Sequence, residues 1–262
     1  MLKKIFNDIK RYFKYIIYAT KAELNAEVAG SYLGALWWLL DPLFFMMIYT
    51  FISVVVFKSK EQYFAVFVFT ALSLWNFFNK VVSLSPKLVS SNKDIVTKVY
   101  LPKYILLINK MGVNFFKMLI SFALVAVMMI LYKIPLNVSM LHIVPIIITL
   151  IVVTFGCSTI LMHFGVFVED LSNITNILLK LVFYLSGIFY LVSKRIPFPY
   201  NNILLTVNPM AYLIESGRGC LIYGVTPDYR IMFLWFVIGT ILSIIGVKTI
   251  YKYENSYVKV IK

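Results

Sequence analysis

Three lysines, Lys103, Lys110 and Lys117, recur every seven residues through a stretch that is otherwise largely apolar, with Asn114 one turn from both Lys110 and Lys117. At 3.6 residues per turn this spacing places them nearly on one helix face. Cations within an apolar segment are costly, so they face a partner or a wet cavity, or their stems snorkel back to the headgroups. Two readings follow: a track that attracts an anionic headgroup, and side chains that reach back to the interface. Asp41 raises the complementary question, since it precedes Pro42 inside the apolar run "LGALWWLLDPLFFMMIYTFISVVVF". Asp before Pro suits a helix N-cap and a first helical residue, which predicts a hinge where an interfacial helix turns into a span.

Other chemistry is sparse. The sequence contains no GxxxxGK[ST] loop, so the chain does not itself cradle nucleotide phosphates in that way. His142 and His163 lie near opposite ends of one apolar stretch, too far apart along a helix to share a metal. They read as an interfacial and a helix-packing histidine. Glu169 and Asp170 are adjacent rather than converging, which suits a cap or turn better than an acid/base pair. Cys157 and Cys220 fall in unlike settings and identify no redox compartment. No catalytic residue and no metal site is predicted.

The elements that must position these residues follow from composition. Of 262 residues 61% are hydrophobic and 14% charged, against about 45–50% and about 25% in soluble domains. Such an excess exceeds what an aqueous core can hold, so the chain reads as an all-α membrane protein. The net charge of +14 then reflects positive-inside bias and anionic lipid rather than nucleic acid. Six apolar stretches of about 20 residues run near 36–57, 63–82, 105–132, 141–164, 174–192 and 231–251. Ahead of them, apolar residues at three- and four-residue steps over 2–17, with Lys3, Lys4, Lys10, Arg11 and Lys14 opposite, predict an amphipathic helix in the headgroup plane. A surface helix packed on another domain is the alternative. Lys and Arg concentrate on the side of the N-terminus, which predicts both termini in the cytoplasm of a multi-pass inner or plasma membrane protein. Residues 1–30 then form an interface helix with its connector, and 31–262 one transmembrane domain.

The connections differ in kind. Residues 58–62 and 133–140 read as tight external turns. The basic internal segment 83–104, "SLSPKLVSSNKDIVTKVYLPKY", offers helix starts at Ser85-Pro86 and at Asp94. The external segment 194–230 holds apolar pieces too short to span, split at Asn208-Pro209 and punctuated by Gly217, Gly219 and Gly224. Broken half-helices enter a bilayer only where protein or a water-filled cavity satisfies their backbone, which predicts a re-entrant element between spans five and six. An ordinary amphipathic external loop remains the alternative.

The run "SYLGALWWLLDPLFFMMIYTFISVVVF" after a basic amphipathic helix, then "NKDIVTKVYLPKY", "VEDLSNITNILLKLVFYLSGIFY" and "NPMAYLIESGRGCLIYGVTPD", resemble the type-2 permeases of ATP-binding-cassette exporters. The branch most similar exports lipid-linked polysaccharide: O-antigen, teichoic acid and related cell-wall glycans. Four segments match in order and cover nearly the whole chain. The resemblance implies a homodimer joined to two copies of a separate ATPase chain, which binds ATP and Mg, moving an undecaprenyl-diphosphate-linked glycan outward. It implies ATPase contacts from residues 2–20 and 83–104, with Lys10, Arg11, Lys93, Asp94 and Lys98 as candidates. It implies gate helices over 197–223, with Asn208, Pro209, Glu215 and Arg218 as candidates. Trp37, Trp38, Tyr49, Phe183, Tyr184 and Tyr190 become channel candidates beside Lys110, Asn114 and Lys117. Their alternative is an interfacial aromatic belt.

The chain departs from that family's pattern at Glu27 and Ala29, where arginines are usual, at Glu169, where Arg-Asp is usual, and at Gly187, where Ser-Pro is usual. These departures mark a divergent branch. A type-2 exporter of a drug or small lipid stays open as an alternative, as does a membrane-embedded glycosyl- or acyltransferase, which would need clustered acids or a catalytic histidine at a membrane face. A secondary transporter would need repeat symmetry and midplane ion sites.

Overall fold

The computed structural model describes residues 2–52, 55 and 63–261, and every regular element among them is a helix. The turn expected at 58–62 lies outside the described residues. Five helical stretches are long and apolar enough to cross a membrane: Gly34–Phe51, Phe64–Ser91, Tyr104–Leu131, Val138–Gly165 and Tyr229–Tyr257. A sixth apolar helix, Leu171–Leu185, is shorter. The chain is an all-α membrane protein.

Helix α1 (Leu2–Val28) is a single element of 27 residues. No Gly or Pro interrupts it, and Gly30, at φ +82°, turns the chain out of it. It outlasts the expected 2–17 because residues 18–28 carry good helix formers whose polar members find partners in the bundle. Next comes α2 (Trp37–Phe51), where the structure differs from the expected cap. Asp41 and Pro42 sit inside the helix, and Leu36 is the N-cap without a side-chain hydrogen bond. A preceding 3-10 turn, Gly34–Leu36, starts the helix early enough that Asp41 is its fifth residue.

Helix α3 (Phe64–Leu84) is apolar nearly all round and forms the centre of the fold, packed by α2 and by four later helices. Its polar residues Ser73, Asn76 and Lys80 share one stripe by their three- and four-residue spacing. The internal segment then folds as a 3-10 turn, Ser85–Lys87, followed by α4 (Leu88–Ser91) and α5 (Lys93–Lys98). Ser85 does not cap a helix start. Its hydroxyl donates back to the Val81 carbonyl at 2.6 Å, prolonging α3, and α5 begins at Lys93 rather than after Asp94.

Helices α6 (Tyr104–Leu131) and α7 (Ile143–Gly165) follow, then α8 (Leu171–Leu185). At about 1.5 Å per residue the 15 residues of α8 span about 22 Å, short of a hydrocarbon core of about 30 Å. Helices α9 (Val192–Arg195), α10 (Tyr200–Val207) and α11 (Pro209–Arg218) and a π-helical turn, Gly219–Tyr223, fill the broken segment before α12 (Tyr229–Ile261). Of the three glycines expected to end pieces there, Gly217 lies buried inside α11 and Gly219 continues into the π-turn. Only Gly224, at φ +68°, ends it.

Helices α7 and α12 pack along a seam that needs small residues. A methyl at Gly156 would lie 2.6 Å from the Gly239 carbonyl oxygen and 2.9 Å from Leu242 Cβ, and one at Gly239 would lie 3.0 Å from Val153 Cα. At Gly246 it would collide with Thr159. Backbone atoms cannot step aside as a flexible side chain can. Gly156→Ala should therefore destabilise the purified protein by about 1–3 kcal/mol, read as a lower midpoint of thermal unfolding. Gly219→Ala, whose added methyl meets nothing nearer than 3.6 Å, should leave the midpoint nearly unchanged.

Candidate functional site

A cleft of about 530 Å³ opens between α2, α3 and α6, with the end of α1 and one residue of α8 on its rim. Six of the sequence-selected residues line it together: Trp37, Trp38, Tyr49, Asn114, Lys117 and Phe183. Asp41 and the polar stripe of α3 complete it. The walls thus combine aromatic faces with hydroxyl, amide, carboxylate and ammonium groups. Trp38 meets Phe116 edge-on at 5.6 Å, while Tyr49, Phe189 and Phe183 form a run at 4.9 and 5.8 Å that ends on Trp75. Such rings offer faces that stack on flat apolar patches of a ligand.

The lysine track is paired along its length. Each of its lysines meets a carboxylate. Lys103 Nζ lies 4.0 Å from Glu254 of α12, Lys110 Nζ 2.5 Å from Glu23 of α1, and Lys117 Nζ 2.6 Å from Glu27 of α1. Burial pushes the Lys103 ammonium below its ordinary range, and Glu254 opposes that shift. Asn109 joins the second pair by donating to Glu23 at 3.1 Å, and Thr20 donates to Asn109 at 2.8 Å. Near the start of α1, Asp8 accepts from the hydroxyls of Tyr104, at 3.0 Å, and Tyr251. Helix α1 therefore climbs alongside α6, held at both ends. Lys110 itself does not line the cleft, although its partner Glu23 does, and Lys117 and its partner Glu27 both lie on it. The departure at Glu27 has a local reason: it supplies the carboxylate for Lys117. Ala29 is exposed beyond the helix, and Glu169 is exposed in the turn before α8.

Sequence reasoning missed Glu23 and Glu27 as partners. The available signal was their spacing of four, which puts two carboxylates on one face of α1.

The remaining aromatic candidates do not line the cleft: Tyr184 lies in the last turn of α8, edge-on to Phe183 at 5.4 Å, and Tyr190 in the break that follows. Four carbonyls of the last turn of α8 are each satisfied there. Val182 accepts from Ser186 Oγ at 2.6 Å, Phe183 from the Ser186 N–H at 3.3 Å, Tyr184 from the Tyr190 hydroxyl at 3.1 Å, and Leu185 from Asn208 Nδ2 at 3.3 Å. Gly187 takes φ +64°, the left-handed region that suits glycine. Beyond it the fully buried Arg218 donates to the carbonyls of Gly187 at 2.7 Å, Ile188, Tyr190 at 3.3 Å and Phe67 at 2.9 Å, with its guanidinium 3.5 Å from the Phe67 ring centre.

The other gate candidates serve the same segment. The Asn208 side-chain oxygen caps α11 by accepting from Met210 and Ala211 at 3.0 and 3.2 Å, and Pro209 takes the first helical position. Glu215 accepts from the backbone N–H groups of Val192 and Ser193 at 2.8 and 3.2 Å, tying α11 to α9. Asn208, Pro209, Glu215 and Arg218 thus act as one structural group.

Lys10 and Arg11 are exposed on the first half of α1, and Lys93, Asp94 and Lys98 are exposed on α5, where Asp94 and Lys98 pair at 3.4 Å. Tyr100, just after α5, feels the charges of Glu254, Asp8 and Arg11, so α1, α5 and α12 meet at this end. The Tyr100 phenol is pushed above its ordinary range, first by Glu254 and then by burial. His163 Nδ1 lies 2.7 Å from the Tyr257 hydroxyl, among aromatic rings, and His142 Nδ1 lies 2.5 Å from the Tyr229 hydroxyl. Among the described residues no group of His, Cys, Asp and Glu could hold a metal ion.

A family model described as "ABC-2 type transporter" matches residues 16–222. Two proteins of Klebsiella pneumoniae named "O-antigen export system permease protein RfbA" are each 27% identical over 250 residues, covering 95% of this chain and of theirs. A Myxococcus xanthus protein of the same name is 26% identical over 228 residues, covering 86% of each chain.

Two variants test the supports. Arg218→Met leaves buried carbonyls without their donor and should destabilise by more than about 3 kcal/mol, and Arg218→Lys should recover little of that, because a single ammonium cannot span the fork. Thermal unfolding of both proteins checks this. Glu27→Lys faces Lys117 with a like charge and should loosen the end of α1, measured as faster proteolysis there. Adding Lys117→Glu should restore protection by reversing the pair.

Proposed function

The chain belongs to the ABC-2 type transporter family, and on that premise we propose that it exports a lipid-linked polysaccharide across the cytoplasmic membrane. It is a multi-pass membrane transport subunit that works with an ABC ATPase subunit rather than an enzyme. The proposed cargo is an undecaprenyl-diphosphate-linked glycan of the O-antigen, teichoic acid or cell-wall class. The observation that carries this reading is the cleft, where Trp37, Trp38, Tyr49 and Phe183 face Asn114 and Lys117. Aromatic faces take up the C–H surfaces of sugar rings, amides and hydroxyls exchange hydrogen bonds with sugar hydroxyls, and the Lys80 ammonium, beside the Lys117–Glu27 pair, suits a diphosphate. The curated relatives are named for O-antigen export, which supports the same cargo class.

In this reading two copies of the chain assemble around a central path. Helix α2 supports that arrangement, since none of its residues is buried within one chain and its side of the cleft is open. The ATPase, which holds ATP and Mg, docks against the end formed by Lys10 and Arg11 of α1 and Lys93, Asp94 and Lys98 of α5. Both termini lie on that cytoplasmic side, residues 1–30 form the interface helix with its connector, and the α9–α11 segment forms the outer gate.

Depleting the protein in cells should cause lipid-linked glycan to accumulate inside, detected by extraction and by labelling of surface glycan. A chain carrying Trp37→Ala and Trp38→Ala should still co-purify with the ATPase but export less. Unchanged surface glycan on depletion overturns the polysaccharide reading and points to a drug or small-lipid cargo instead.

A further inference from the structure

A second cavity lies on the opposite side of α6 from the lysine pairs. It is a groove of about 470 Å³ roofed by α1 and walled by α6, α7 and α12, with Phe77 of α3 at its back. Ile9 and Ile16 of α1, Phe115 of α6, Phe155 of α7, and Thr240 and Ile244 of α12 line it. Its few polar atoms are already engaged. The Thr240 hydroxyl donates to the Phe236 carbonyl at 2.8 Å, and the Ser243 hydroxyl donates to the Gly239 carbonyl at 2.7 Å. Nothing in the groove asks for a polar ligand.

The groove exists because α1 packs along α6 and makes no comparable contact with α7 or α12. Its polar residues clamp it to α6 at Glu23 and to both α6 and α12 at Asp8, and between these points its isoleucine face lies over the groove. A hydrocarbon chain lying along such apolar walls makes dispersion contacts with each of them. At about 30 Å³ for each water-sized group, the space accommodates a linear hydrocarbon of roughly fifteen methylenes.

Charge at the groove's end selects the headgroup. Lys248 directly follows the lining residue Val247, and Lys4 is one residue from the lining Ile5, its Nζ 4.0 Å from the Tyr251 ring centre. Lys4 and Lys248 are both exposed, as is Lys10 beside Ile9. Of the nearby carboxylates, Asp8 accepts from Tyr104 and Tyr251, and Glu254 faces both Lys103, at 4.0 Å, and Lys4, so Lys248 is the cation of this end that pairs with no carboxylate among the described residues.

We infer that this groove is a binding site for one acyl chain of an anionic membrane phospholipid, with the phosphate held by Lys4 and Lys248, and that the lipid completes the packing of α1. The site shares only the Phe77 ring with the cleft beside α2 and does not depend on the identity of the cargo.

Native mass spectrometry of the full-length chain in its ATPase complex tests this, using added dioleoyl phosphatidylglycerol and, separately, dioleoyl phosphatidylcholine. The expected result is one tightly retained phosphatidylglycerol per chain, favoured over phosphatidylcholine by about tenfold. Thr240→Trp should fill the slot and remove that molecule. Phe233→Trp, on the exposed face of α12, should not. Lys4→Ala with Lys248→Ala should bring the two lipids to similar occupancy. Equal retention of both lipids by the unsubstituted protein overturns the inference whether or not any variant folds, as does an undiminished count in Thr240→Trp.

Discussion

Backbone carbonyls that lose their helical partners inside a membrane have no water to accept from, and the arrangement around α8 follows from that constraint. Helix α8 stops after 15 residues, leaving an open last turn and an irregular stretch behind it. Each exposed carbonyl from Val182 to Leu185 meets a hydroxyl, amide or N–H, and Arg218 collects those of Gly187, Ile188 and Tyr190 together with one from α3. Arg suits this role because its planar fork presents five donors in fixed directions. Asn208 uses both ends of its amide, donating to the end of α8 while capping the start of α11. The break is therefore a defined structure in which α11 is fastened to the central helix. A segment fastened through carbonyls can shift only if this whole set is exchanged at once.

A second constraint governs α1. An amphipathic helix of this length could lie flat on a lipid surface, yet Glu23 and Glu27 give its second half a reason to climb beside α6, where Lys110 and Lys117 wait. The pairs are partly exposed, so each adds modest stability in itself. Their larger effect is direction: they fix which face of α1 turns to α6 and bring the Lys117 and Glu27 heads onto the cleft. The same clamping leaves the isoleucine face of α1 suspended over α7 and α12, so the polar cleft and the apolar groove are two consequences of one docking mode.

The bundle divides into a tight part and an open part. Helices α7 and α12 approach through Gly156, Gly239 and Gly246, and α3 is sealed on nearly every side. Helix α2 buries nothing within one chain, and the cleft opens beside it. For a transport subunit this is a workable division. The small-residue seam between α7 and α12 is the tight part, while the wall formed by α2 is the loosely packed one beside the cleft.

Much of this was legible in the chain itself. Apolar stretches of the right length, basic residues opposite an isoleucine face, and short pieces split at Asn208-Pro209 are local properties, set by composition and period, and they determined the helical membrane fold, the N-terminal helix and the broken segment. Six of the aromatic and polar residues selected from sequence do share one cleft. What only the tertiary structure decided concerns partners distant in sequence. The lysine spacing of seven showed a shared face but not that Glu254, Glu23 and Glu27 would meet it. Arg218 was a gate candidate by resemblance, but its four carbonyl partners appear only once α11 has folded back against α3. Asp41-Pro42 looked like a cap, but an early 3-10 start placed it inside the helix. In each case a local rule named the residue's capacity, to pair, to donate or to cap, and the packing of one helix on another selected which of those capacities is used.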